Sequence, residues 1–454
     1  MSDRGGSRLP GVGDEREERI VLHVDMDCFY AACERLREPD LCGEPVVVGM
    51  GYEEGENHGA VATASYEARE YGVESAQAIG SALERLPRKA EGDSTDSSGA
   101  DGEDGEDGAD GDDEVDVAGY YRPVDIEFYK SVSTDVRAIL HDCADTVREV
   151  SIDEAYLDVT ERTAWEVAEG FARHVKNRIE REVGVNASVG VAPNMSAAKI
   201  ASDHDKPDGL VVVEPGTTRD FLAPLDVAEI HGIGPVTART LREMGIETAG
   251  DLADADPRTL ADRFGERGRE LYHRARGDDD RRVTPTGRPK SLSRESAFTD
   301  PTTDPEEKRA RVSTLAAAVA ERARDRDAMY RTIGVKVVTP PFDVHTRARS
   351  LPGPVDDPEL VEEVALDLLA EFDDDRVRKV GVRVSNLQFT ESDQTSLDGF
   401  DAPSGTGASR TADSSDSADD PKSSAEAADD GEKTDETDHR SPRKRDGQVS
   451  LSDF

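Results

Sequence analysis

The sequence predicts an α+β protein of several domains. Three observations carry this expectation. Short apolar strands alternate with amphipathic helices over residues 20–213. Short helices broken by glycines follow, as far as Gly277. Beyond a stretch rich in proline and charge, alternating strand patterns flank another helix. A chain of 454 residues suits two to four domains, with cores large enough to need no disulfides.

Residues 1–18 read as a loose lead-in, without the apolar segment of a secretory signal. Residues 20–24 read as a buried strand ending at Asp25, with a helix over 29–36. Strands follow at 45–49 and 59–64, then helical pieces over 65–86 and a helix over 126–140. Residues 147–152 and 155–159 alternate around Asp153-Glu154 as a hairpin would. One amphipathic helix is expected over 165–182, a strand at 186–191 and a helix at 194–202. Late in the chain, 331–339 and 380–384 read as strands and 360–372 as a helix.

Charge separates the parts that fold from those that do not. There are 56 basic and 99 acidic residues, a formal charge of −43. More than half of it lies in two tracts. Residues 91–116 hold 13 acids and no base, and residues 391–454 hold 17 acids against 7 bases. Neither tract has the apolar content to bury itself, so a solvated insertion and a disordered tail are expected. Arginine outnumbers lysine 44 to 12. An acid-rich, lysine-poor surface suits molar salt, where the Debye length falls to about 3 Å, and points to a halophile. Net acidity at first sight excludes a nucleic-acid partner, but its uneven placement leaves room for a locally basic cleft. The longest apolar runs, 45–50 and 210–213, are too short for a bilayer, so no membrane partner is expected. Cys28, Cys33, Cys42 and Cys143 show no CxxC spacing, which argues against a zinc ribbon and fits a reducing cytoplasm.

The chemistry lies in carboxylates that interrupt apolar strands. Asp25 and Asp27 follow the first strand, and Asp153 and Glu154 sit at a strand turn. Carboxylates there are costly unless paired, hydrogen-bonded or bound to a cation. Hard divalent ions take such oxygen ligands, and two ions can clamp both oxygens of a phosphoryl transfer.

Five segments then occur in one order: DMDCFYAACE, ATASYEAREYGV, SIDEAYLDVT, SVGVAPNMSAAKIASDHDKPDGL and IHGIGPVTARTL. They resemble the Y-family translesion DNA polymerases of the DNA polymerase IV type, over residues 19–390. The resemblance implies a right-hand fold. The palm would comprise 19–28 and 117–213, the fingers 29–90, and the thumb 214–277. A linker at 278–290 would lead to a little finger at 291–390. The source implied is a halophilic archaeon.

The resemblance also implies roles. Asp25, Asp153 and Glu154, with the Met26 carbonyl, would hold two Mg²⁺ ions. Asp27 would be a structural carboxylate capping the next helix. Tyr66, Arg69 and Lys206 would grip the triphosphate of the incoming dNTP, with Thr63 and Phe29 beside it. Tyr30 would be a steric gate that excludes a 2′-hydroxyl. Ala62, Thr63 and Ala64 would leave a roomy, low-fidelity site. Gly232 and Gly234 belong to a helix–hairpin–helix signature that binds DNA backbone without reading sequence, with Gly245 ending its helix. A weaker turn is expected over 265–268. Lys290, Arg294, Arg331, Lys336, Arg347 and Arg349 would contact template backbone. Gln448, Leu451 and Phe454 resemble a peptide that docks on a PCNA-type sliding clamp, and Gln394, Leu397 and Phe400 repeat it.

The implied activity is template-directed addition of dNMP to a primer 3′-hydroxyl by a monomer without proofreading, in translesion synthesis and repair. A nucleotidyl cyclase would share the two-metal carboxylates but leave the hairpin, the gate and the clamp peptides without purpose. A non-catalytic scaffold would not need Asp25, Asp153 and Glu154.

Overall fold

The structure is a computed structural model that describes residues 19–89 and 118–389. The lead-in, the acidic insertion and the tail with both clamp peptides lie outside the described residues. Two compact units emerge. The first runs to Pro289, with Ala297–Pro301 grouped with it, and the second begins at Lys290. Among the described residues, no helix is long and apolar enough to cross a membrane.

The first unit is built on strands β1 (Val21–Met26), β2 (Val46–Met50), β3 (Ala60–Ala64), β4 (Tyr120–Pro123), β5 (Thr146–Glu149), β6 (Glu154–Asp158), β7 (Ala187–Ala192) and β8 (Leu210–Val212). Its central sheet has the order β5-β6-β1-β7-β8. β1 is antiparallel to both neighbours, and β7 and β8 run parallel. β1 lies at the centre because both of its faces are covered. Leu22, Val24 and Met26 pack into one core with helices α4 (Ile126–Cys143) and α5 (Ala168–Val183). Val21 joins the opposite core, beneath α6 (Met195–His204). The period-2 alternation of a strand puts His23 and Asp25 on the same face as Val21, toward α6.

Helix α6 lies unusually close to this sheet. A Cβ on Gly190 of β7 would fall 2.0 Å from the Ala198 carbonyl oxygen and 2.4 Å from the Ser202 nitrogen, so only glycine fits. The helix answers with Ala197, Ala198 and Ala201 on its buried face. Asn194 caps it, its side-chain oxygen accepting from the Ala197 amide at 3.0 Å.

A second sheet, β3-β2-β4, carries helices α1 (Phe29–Arg37), α2 (Tyr66–Glu70) and α3 (Ile79–Arg85) nearby. Helices α7 (Thr218–Leu222), α8 (Pro235–Glu243), α9 (Ala249–Asp254), α10 (Pro257–Phe264) and α11 (Glu266–Ala275) contribute to a separate apolar cluster. Residues 278–289 have no regular structure, yet they are fastened to this unit. Val283 is buried in the α6 core, and the Ser196 amide donates to Asp279 Oδ2 at 3.1 Å.

The second unit has a five-stranded sheet, with β9 (Ser291–Thr302), β10 (Ala328–Thr339), β11 (Asp343–Val355) and β12 (Val377–Ser385) in the order β11-β10-β12-β9 and the short β13 (Gln388–Phe389) pairing with β10. Helices α12 (Pro305–Arg324) and α13 (Pro358–Leu369) cover one face. Lys308 of α12 is fully buried, and its ammonium donates to the carbonyls of Phe372 (2.9 Å), Asp373 (2.7 Å) and Asp375 (3.0 Å).

One expected element is divided. The stretch 165–182 opens with a 3₁₀ turn, Trp165–Val167, before α5 begins at Ala168. The expected hairpin forms, but Glu154 is the first residue of β6 rather than part of the turn.

Candidate active site

The strand register brings the acidic residues together. Asp25 of β1 stands directly opposite Glu154 of β6, and the Met26 amide donates to the Asp153 carbonyl at 2.9 Å. Residues more than 120 positions apart in sequence thus share one end of the central sheet. Two lysines face them from the α6 side. Lys206 Nζ lies 2.7 Å from Asp25 Oδ1 and 2.9 Å from Asp203 Oδ1. Lys199 Nζ lies 2.5 Å from Glu154 Oε2 and 3.9 Å from Asp25 Oδ2. His23, fully buried, places Nε2 3.3 Å from Glu154 Oε2 and Nδ1 2.7 Å from Ser202 Oγ.

Electrostatics distinguish the carboxylates. Burial pushes the Asp153 carboxyl up, and the charges of Asp25 and Glu154 add to it against a hydrogen bond from Ser151. Burial also acts to raise Glu154, but His23 and Lys199 overcome it and hold that carboxyl down at about 2. Burial opposes the charge on Lys206, yet Asp25 and Asp203 keep it above the usual lysine range.

The carboxylate oxygens of Asp25 and Glu154 fit a divalent cation, with His23 behind them. His23 Nε2 is a buried polar atom without a well-formed hydrogen bond. It and one carboxylate oxygen each from Asp25 and Glu154 lie within 4.8 Å of one another. Asp153 stands beside this trio rather than in it. Its raised proton affinity is what a nearby cation would relieve.

Asp27 is structural but does not cap the helix. Cys28 takes that position in a left-handed conformation (φ 39°), which turns Asp27 away from the helix N-terminus. Its buried carboxylate accepts from Tyr66 Oη (3.2 Å), Ser188 Oγ (2.8 Å) and the Asp208 amide (2.8 Å). Asp27 therefore ties Tyr66 to the loop after Lys206. Arg69 is exposed, stacks its guanidinium 4.6 Å from the centre of the Tyr66 ring, and donates to the Ala64 carbonyl at 3.0 Å. Thr63 is half-buried, whereas Ala62 and Ala64 are buried.

Tyr30 is 3 % exposed and stacks on Tyr129 with ring centres 4.5 Å apart. Burial, then the charge of Asp153, pushes its hydroxyl up to about 12, so the ring reaches the field of the acidic cluster. Phe29 is buried beside it, 6.1 Å between centres.

In the helical region, Gly232 has φ 92° and Gly234 is the residue before α8, with Pro235 at the first helical position. Gly245 follows α8 with φ 79°. Gly265 (φ 68°) separates α10 from α11. Arg267 from this second turn donates to the Gly232 carbonyl at 2.6 Å, so the two turns meet.

In the second unit, Lys290 and Arg294 are exposed. Arg331 donates to the Leu351 carbonyl at 3.2 Å. Lys336 faces away from the helices and pairs with Glu295 at 2.9 Å. Register places Arg347 and Arg349 opposite Val335 and Ile333, on the helix-covered face of edge strand β11. There they pair with Glu371 and Asp367. These two arginines are thus committed to carboxylates.

Sequence reading missed His23, Lys199, Ser202 and Asp203. A signal was present. His23 precedes Asp25 by two, the spacing of one strand face. Residues 199, 202 and 203 follow the 3–4 spacing of one helix face.

Comparison with known proteins identifies the family. Residues 24–203 match the model of the impB/mucB/samB family, 215–246 the IMS family HHH motif, and 289–398 the impB/mucB/samB family C-terminal domain. DNA polymerase IV of Halobacterium salinarum is 65 % identical over 395 residues, which cover 87 % of this chain and 91 % of the relative. DNA polymerase IV of Methanoculleus marisnigri is 41 % identical, covering 84 % and 98 %. Among solved structures, a Y-family DNA polymerase chimera, Dbh-Dpo4(243-245)-Dbh, superposes with a TM-score of 0.69 at 29 % identity, covering 82 % of this chain and 99 % of that one. An insertion ternary complex of Dbh DNA polymerase gives 0.55 at 28 % identity, with the same coverage. The family matches span the acidic strand ends, the helical hairpin and the second unit alike, and the chain belongs to the impB/mucB/samB family as a DNA-directed DNA polymerase of the Y-family DNA polymerase IV type.

Proposed function

We propose that this polymerase adds dNMP to a primer 3′-hydroxyl on a DNA template by two-metal phosphoryl transfer, with low fidelity and without proofreading, in translesion synthesis and repair. The observation that carries the reading is the cross-strand pairing of Asp25 with Glu154, with Asp153 beside Met26. Asp25, Asp153, Glu154 and the Met26 carbonyl would hold divalent ions, Mg²⁺ by their hard oxygens. Such ions, when bound, activate the 3′-hydroxyl and neutralise the triphosphate.

The remaining work is positioning and electrostatics. Lys206 and Arg69 would carry positive charge to the β- and γ-phosphates, with Tyr66 held toward them by Asp27. Lys206 would exchange carboxylate partners for phosphate oxygens. Tyr30, rigid against Tyr129, would form a floor under the sugar that a 2′-hydroxyl cannot share. In this reading the central sheet with α4–α6 is the palm, the β3-β2-β4 sheet with α1–α3 the fingers, α7–α11 the thumb and the second unit the little finger. The Gly232 and Gly265 turns would offer amides to DNA phosphates. Lys290, Arg294 and Arg331 would contact template backbone, while Lys336, Arg347 and Arg349 would first have to leave their carboxylates. Gln448, Leu451 and Phe454, with Gln394, Leu397 and Phe400 as a second copy, would recruit the enzyme to a PCNA-type clamp. The enzyme would act as a cytoplasmic monomer in high salt.

Primer extension in concentrated KCl with Mg²⁺ and dNTPs tests the reading. Asp25→Ala or Glu154→Ala should abolish extension while primer-template binding survives. Wild-type rates in either variant would remove the metal assignment.

A further inference from the structure

Behind the acidic cluster lies a buried arrangement that the polymerase reading does not use. His23 has no exposed surface, although it sits at the end of a strand that opens on the site. A plain core position would favour an apolar residue there, because a buried imidazole must place two nitrogens. Its Nδ1 rests on Ser202 Oγ at 2.7 Å. Ser202 Oγ also lies 2.7 Å from the carbonyl of Lys199, one turn earlier in α6. The other ring nitrogen faces Glu154 Oε2 at 3.3 Å, and Lys199 Nζ reaches that same oxygen at 2.5 Å. The Ser202 hydroxyl has one proton to give, either to the Lys199 carbonyl or to Nδ1, and a proton on Nε2 selects Nδ1. Tyr156 packs on the imidazole with centres 4.5 Å apart, leaving the ring little room to turn.

Two ammonium or imidazole nitrogens thus converge on one carboxylate oxygen. A carboxylate oxygen only accepts, so an unprotonated Nε2 would set two lone pairs against each other in a buried place. A proton on Nε2 gives that atom its one available acceptor.

We propose that His23, braced by Ser202, is a positioning residue of the polymerase site that fixes the Glu154 carboxylate from its buried side. Lys199 secures it from the α6 side. The other carboxylate oxygen of Glu154, Oε1, is then left to work toward the open end of the sheet. The role is that of an outer partner that orients a ligand. It rests on the reading of Glu154 as a metal ligand. Gly190 belongs to the same device, because α6 carries both Ser202 and Lys199 and reaches the strand only where no Cβ intervenes.

The test compares His23→Phe, which keeps an aromatic ring, with His23→Gln, which keeps an amide donor, and with Ser202→Ala. In single-nucleotide extension, His23→Phe should lower kcat by about 10- to 100-fold, with the dNTP KM and primer-template Kd within twofold. His23→Gln should recover most of that loss, and Ser202→Ala should fall between. A second readout needs no turnover. Mn²⁺ binding followed by electron paramagnetic resonance should weaken in His23→Phe by about tenfold, and its pulsed spectrum in the wild type should show no directly bonded nitrogen. Wild-type kcat and Mn²⁺ affinity in His23→Phe, or equal losses in Phe and Gln, would overturn the proposal. A directly bonded nitrogen would also overturn it, making His23 a ligand instead. If His23→Phe does not fold, Ser202→Ala with unchanged kcat and Mn²⁺ affinity refutes it alone. Glu154→Ala separates the two readings. If that variant is active, the metal assignment has failed. If it is inactive while His23→Phe equals wild type, only this inference has failed.

Discussion

Replacing Asp27 by Asn changes one atom and reverses one hydrogen bond. The native carboxylate, 4 % exposed, accepts from Tyr66 and Ser188 on Oδ1 and from the Asp208 amide on Oδ2. An asparagine that keeps Oδ1 toward Tyr66 and Ser188 turns its NH₂ group on the Asp208 N–H, donor against donor. Flipping the amide saves that contact and turns the NH₂ group into a donor to the Tyr66 and Ser188 hydroxyls, whose own protons then lose their acceptor. Either way a charge-assisted bond goes and a buried donor is left unpaired, a cost of about 2–4 kcal/mol. The loss falls on the loop that carries Lys206 and on the hydroxyl of Tyr66. Thermal denaturation should show a Tm lower by roughly 5–10 °C for the unit concerned. Single-turnover extension should show the dNTP KM raised about tenfold, equivalent to ~1.4 kcal/mol, with primer-template affinity unchanged. An unchanged Tm together with an unchanged KM would refute the view that Asp27 joins Tyr66 to the Lys206 loop. A lowered Tm with a normal KM would confine its role to stability.

Three other expectations follow from single side chains. Tyr30→Ala should admit ribonucleotides in competition assays and also lower stability through the lost Tyr129 stack; unchanged sugar discrimination would remove the gate. Lys308→Met keeps the apolar stem but strands three carbonyls, so the second unit should lose about 3–5 kcal/mol in denaturant unfolding, and a loss under 1 kcal/mol would show that the carbonyls find other partners. His231 is held down at about 4 by burial, helped by Arg281 and Arg274. Its ordinary value is 6.5. Between these values the unfolded chain binds a proton that the folded one does not, so this contribution is whole above about pH 6.5 and is lost as pH falls toward 4. Stability of His231→Gln should decline less than wild type across that window, and parallel curves would contradict the assignment.

What the sequence made legible followed local pattern. β2, β3 and β7 are short runs of small or apolar residues, β1 is such a run broken by His23 and Asp25, and β5 and β6 were found by alternation, whereas β4 and β8 were too short to be read as strands. α12 was not read because its buried face is mostly alanine and valine among Arg and Glu, which leaves little contrast between faces. β11 was not read because Asp-Val-His-Thr-Arg-Ala-Arg-Ser carries few apolar residues, and Pro352 and Pro354 follow. Such a sequence is tolerated at a sheet edge, where one side need not pair. Asp25, Asp153 and Glu154 were legible because charge interrupting an apolar strand demands a reason. Asp27 was legible as structural, but its partners were not. They lie 39, 161 and 181 residues away, and only the fold selects them.

The same distinction explains how an acidic chain can hold acidic ligands. At two places in the described residues its lysines do not wait as free charge. Lys206 is shared between Asp25 and Asp203, and Lys336 and Lys379 converge on Glu295. Burial acts to raise Glu295, but the two lysines prevail and hold its carboxyl below the usual range. An incoming phosphate therefore gains no bare positive patch, and at molar salt such a patch would attract it only across about 3 Å in any case. In the proposed reading it would replace one anion by another at Lys206, a lysine already held in place. Asp203 is half-exposed, so giving up that partner costs little, since exposed pairs contribute only ~0–1 kcal/mol. Long-range attraction is what high salt removes, whereas a preset short-range donor survives it. An acidic polymerase in concentrated salt should therefore recognise phosphate by placement more than by field, and its carboxylates are the means of that placement.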